Sequence, residues 1–78
     1  MTPGTAVHIR RVVGFGVRAG AAPGRVKHID GDRVTVELPV RATDGLAVQK
    51  CRVSELKVAK EIDAARIAAM FRLVEEAR

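Results

Sequence analysis

Few side chains in this sequence have the means to do chemistry: two histidines, His8 and His28, one cysteine, Cys51, and the cations Arg10, Arg25, Lys27, Arg33 and Arg52. A histidine becomes an acid or base when a carboxylate or hydroxyl orients it. Neither His8 nor His28 has an Asp or Ser at a spacing that suggests a triad, and Asp30 belongs to the turn sequence Asp30-Gly31-Asp32. Cys51 would be a nucleophile if a helix N-terminus or an arginine stabilised its thiolate, but its valine-rich neighbours suit a small core residue. A single cysteine forms neither an internal disulfide nor a metal cluster, which points to a reducing, cytoplasmic setting. Neither a catalytic constellation nor a cofactor or metal site follows from these residues, so a non-enzymatic chain is expected.

The cations carry the main functional expectation. The formal charge is +5, and residues 1–56 hold nine Lys or Arg against five Asp or Glu, a net of +4, whereas residues 57–78 are nearly balanced at +1. If Arg25, Lys27 and Arg33 share the outward face of a hairpin, with Arg10 and Arg52 joining from neighbouring strands, the patch can grip phosphates. Arginine supplies paired donors, lysine a point charge, and both release counterions on binding. The competing reading is that any small β-fold needs polar residues outside. Phe15 and Phe71 are the only aromatics, so the stacking platforms of single-strand, proline-rich peptide and methyl-lysine recognition are missing.

These residues need elements to position them. Val7 and Ile9 alternate with His8 and Arg10, the period of a half-buried strand, after a Pro3-Gly4 turn. "VVGFGVRAGAAPG" reads as a long irregular loop, with Phe15 a candidate partner-binding residue, either a tip that inserts into a partner or a ring folded back over the barrel mouth. It matches no phosphate-binding fingerprint. "GRVKHI", "DGD" and "RVTVEL" form a β-hairpin over residues 25–38, with Val26, Val34, Val36 and Leu38 inward. Pro39 ends that strand or marks an edge. "RATDG" turns into a strand "LAVQKCRV", where composition favours Ala47, Gln49, Cys51 and Val53 as the core face. Ser54 is the expected N-cap of a turn at "SEL".

From Lys57 on there is neither Gly nor Pro, and a C-terminal helix is expected over residues 57–78, part of the same single domain as residues 1–56. Val58, Ile62, Ala65, Ala69 and Leu73 give it one apolar face, expected to lie on the sheet. Ile67, Met70, Phe71 and Val74 give a second, the candidate partner-binding surface, through which copies of the chain could oligomerise. No apolar run is long enough to span a membrane, and the N-terminus "MTPGTAVHIRR" lacks the order of a signal peptide.

Strand, glycine-rich loop, hairpin, turn, strand and short "SEL" turn together resemble an SH3-like five-stranded β-barrel, here followed by one α-helix. "GRVKHIDGDRVTVEL" looks like the motif of KOW-type barrels of ribosomal proteins and transcription elongation factors, with Gly24, Val26, Ile29, Val34 and Val36 in matching places. The likeness covers residues 3–57 and implies docking on DNA, RNA or a nucleoprotein complex. "GAAPGRV" and "VQKCRVSEL" also resemble plasmid-encoded type II dihydrofolate reductases, tetramers whose Val-Gln-Ile-Tyr strand lines a shared pore. Val48 and Gln49 match that motif, but Lys50 and Cys51 replace its Ile and Tyr, so half of it is missing.

Overall fold

The computed structural model describes residues 1–10 and 22–76. Strand β1 (Ala6–Ile9) follows a turn at Pro3-Gly4, where Gly4 has φ +93°. β2 (Ala22–Asp30) and β3 (Arg33–Ala42) form the expected hairpin, closed by Gly31 at φ +61°. β4 (Gly45–Arg52) leads through one 3-10 turn (Val53–Glu55) into β5 (Leu56–Val58), and α1 (Glu61–Glu76) ends the described chain. Pro39 lies within β3 rather than ending it, and the pairing of β3 with β4 shifts register between Glu37 and Arg41. The glycine-rich loop expectation, Phe15 included, lies mostly outside the described residues, although Ala22, Pro23 and Gly24 belong to β2.

All five strands are antiparallel in one sheet of order β4-β3-β2-β1-β5. Four flat strand gaps would hold β4 and β5 about 19 Å apart. Yet Arg52 and Leu56 are four residues apart, a span of at most about 14 Å. The sheet is therefore rolled, although no ladder joins β4 to β5 among the described residues, so it stays open.

Rolling separates an inner from an outer face. Inside, Val7, Ile9, Val26, Val34, Val36, Leu38, Ala47 and Cys51 make an aliphatic core, as the alternation of β1 and the hairpin requires. On β4 only Ala47 and Cys51 of the expected core face are buried; Gln49 is half-buried and Val53 is exposed, because the strand ends at Arg52. Gly24 sits where β2 crosses β3 so closely that a Cβ would lie 2.5 Å from Val36 Cγ1 and 2.9 Å from the Glu37 carbonyl.

The helix packs on the outer face. Ala6 and His8 of β1 and Arg25 of β2 point away from the core, and α1 covers them with Ile67 and Phe71, both buried yet outside the core cluster. This reverses the expected helix orientation. Ile67 and Phe71, expected to await a partner, face the sheet, with Val74 half-buried beside them; Ile62, Ala65, Ala69 and Leu73 face solvent, and Met70 is exposed. Both faces have helical period, but Ile67 and Phe71 bury more apolar area than a stripe half made of alanine. The helix also starts at Glu61, since Leu56–Val58 pairs with β1 as a strand. Ser54 is not the cap of the 3-10 turn: Arg52 precedes it, and the Arg52 backbone N–H donates to Glu55 Oε1 at 2.9 Å.

The orientation of α1 gives a direct expectation. Phe71→Ala should lower stability by about 3 kcal/mol, whereas Leu73→Ala should change it by no more than about 0.5 kcal/mol. Urea unfolding monitored by circular dichroism measures both, and comparable losses would mean the helix is turned the other way.

Candidate anion-binding face

Five cations were expected to form one outward row; the structure divides them. Arg25 lies under the helix. Its Nε donates to Glu37 Oε1 at 3.1 Å, its Nη1 donates to Glu75 Oε1 at 3.0 Å, and its guanidinium carbon stands 4.3 Å from the centre of the Phe71 ring. Burial alone would lower the proton affinity of this guanidinium, but the hydrogen bond and charge of Glu37, supplemented by Glu75, hold its pKa above the ordinary value. With two carboxylates and an aromatic face engaged, Arg25 is an internal clamp rather than an open phosphate contact.

Lys27 is exposed at a register shift between Val26 and His28. The extra residue resets the alternation of β2, so that His28 pairs with Thr35, and Asp30 with Arg33, on the outer face. Across β3, Thr35 faces Lys50 and Arg33 faces Arg52. The uncovered end of the outer face thus carries His28, Thr35 and Lys50 in one tier and Asp30, Arg33 and Arg52 in the next. His28, Asp30, Arg33, Lys50 and Arg52 are exposed. Among the described residues, Arg33, Lys50 and Arg52 take part in no ion pair. Two arginines directly opposite one another in a ladder repel, a cost that a bound anion would relieve.

The 3-10 turn joins this patch to a second one. Val53 N–H donates to the Asp32 carbonyl and Arg10 N–H to the Glu55 carbonyl, both at 3.0 Å, so the turn is tied to the β2–β3 turn on one side and to the end of β1 on the other. Beyond it, Arg10, Lys57 and Lys60 line a depression of about 430 Å³ with His8, Val58 and Asp63. His8 Nε2 lies 3.8 Å from Asp63 Oδ2. Lys50, Lys57 and Lys60 were not among the expected site residues. Lys50 follows from the strand pairing, and the two others from the β5 ladder and the start of α1, none of which is marked by a sequence motif.

Cys51 is buried, its thiol 3.8 Å from the Val34 carbonyl, and burial, with the negative charge of Glu55 adding to it, pushes its pKa up. That is the setting of a core residue. Val48, Gln49 and Cys51 are exposed, half-buried and buried in turn, so the segment presents no single surface. Among the described residues no group of three His, Cys, Asp or Glu side chains is placed to hold a metal, and no helix is long and apolar enough to cross a membrane. No family model, curated protein or solved structure matches the chain.

Cys51 offers a simple check on this core. The native protein should react with a chromogenic disulfide reagent no faster than it opens, and react at once in urea. Rapid modification without denaturant would show the β3–β4 core to be open.

Proposed function

We propose that the chain is a non-enzymatic, cytoplasmic binding module that docks on the phosphate backbone of a nucleic acid, free or within a nucleoprotein complex. The observation that carries this reading is the cross-strand pair Arg33–Arg52, without an ion pair among the described residues and flanked by Lys50, on the part of the outer face that α1 leaves open. Arg10, Lys57 and Lys60 extend the positive rim past the 3-10 turn. A rolled antiparallel sheet with a 3-10 turn before its last strand supports the SH3-like, KOW-like barrel reading, in which such a rim is a docking surface. Phe71, the one aromatic among the described residues, is buried. Among the described residues this face therefore offers no Phe, Tyr or Trp platform, and its cations favour recognition of duplex or structured nucleic acid by its phosphates.

In a gel-mobility assay at low salt, duplex DNA or structured RNA should be retarded, and Arg33→Glu with Arg52→Glu should abolish the shift in a protein that keeps its circular dichroism spectrum. Arg33→Gln alone should weaken binding across sequences and reduce the slope of log K against log salt by about 1. Absence of any shift, or a shift indifferent to both arginines, rules the reading out.

A further inference from the structure

The side of α1 turned away from the sheet carries an apolar stripe, bordered by Arg66 and ended by Glu76. At about 100° per residue, Ile62, Ala65, Ala69 and Leu73 fall in one stripe opposite Ile67 and Phe71. Ile62 is 65% exposed and Leu73 69%, with Met70 beside them at 43%. We infer that this stripe is a self-association surface, covered by α1 of a second copy of the chain running antiparallel to the first. The inference does not depend on nucleic-acid binding.

Size and the charges of one flank select this occupant, against one repulsion: the same two-fold brings the two Arg66 side chains near each other on the other flank. Read along the helix, the stripe runs large, small, small, large, so reversing one copy sets Ile62 of each against Leu73 of the other. The alanines meet at the centre, where their small side chains let two helix axes approach closely. Glu61 and Arg72 lie on one and the same flank of the stripe. Both are exposed, and among the described residues neither takes part in an ion pair. A two-fold axis perpendicular to the plane of two antiparallel helices carries each flank onto the same flank, which places Arg72 of one copy beside Glu61 of the other, twice. A parallel pair, whose two-fold runs along the helix axes, carries that flank to the opposite side of the seam, so Glu61 and Arg72 of one copy would not meet those of the other. Antiparallel helix dipoles favour the same arrangement.

Sedimentation of the full chain over a concentration series reaching the near-millimolar range tests the proposal. The wild type should pass from monomer to dimer, and Ile62→Glu with Leu73→Glu should remain monomeric while retaining its helix by circular dichroism. Glu61→Arg and Arg72→Glu should each weaken the dimer roughly tenfold, and the two together should restore it. A wild type that stays monomeric overturns the proposal and leaves the stripe to a different protein. Association that survives the Ile62 and Leu73 changes, or a charge swap that fails to rescue, overturns it equally.

Discussion

Arg25 fixes where everything else lies. It stands on the outer side of β2, bound to Glu37 across the strand ladder and to Glu75 of α1, with the Phe71 ring against its guanidinium. An arginine held this way combines hydrogen bonds to two carboxylates with a cation–π contact, and its planar head suits both at once. Arg41 adds a hydrogen bond from Nη2 to the Val74 carbonyl at 3.1 Å, and Asp63 approaches His8 at the other end. The helix is thereby attached to the sheet at both ends, with Ile67 and Phe71 between.

Covering one half of the outer face decides the character of the other half. Where α1 lies, outward residues are satisfied internally: Arg25 by acids, Ala6 by Ile67 and Phe71. Where it does not lie, β3 and β4 present Arg33, Lys50 and Arg52, which take part in no ion pair among the described residues. The same attachment decides which side of α1 is free, leaving Ile62, Ala65, Ala69 and Leu73 outward. A chain of this size has a thin aliphatic core, and a helix laid on the outside of the sheet adds a second buried layer with one large aromatic.

Much of the sheet was legible in the sequence. Period-two alternation gave Val7 and Ile9, then Val26, Val34, Val36 and Leu38, and the glycine of "DGD" gave the hairpin turn. What was not legible depends on tertiary choice. A bulge at Lys27 leaves no mark in composition, yet it turns His28 outward and resets the tiers above it. The helix offers two apolar faces of equal periodicity, and only the volumes of Ile67 and Phe71, together with the contact to Arg25, select between them. Arg25, Lys27 and Arg33 look equivalent as letters; a carboxylate fifty residues away, Glu75, makes Arg25 different.

The helix divides the outer face into a closed half and an open half, the latter proposed to bind phosphates. The most direct measurement is an amide chemical-shift titration of isotope-labelled protein with a short duplex at low salt. Shifts should concentrate at Arg33, Thr35, Lys50 and Arg52 and extend through the 3-10 turn to Arg10 and Lys57, while Arg25 and Phe71 stay unmoved. Shifts centred on Arg25 and α1, or no shifts at all, would contradict it.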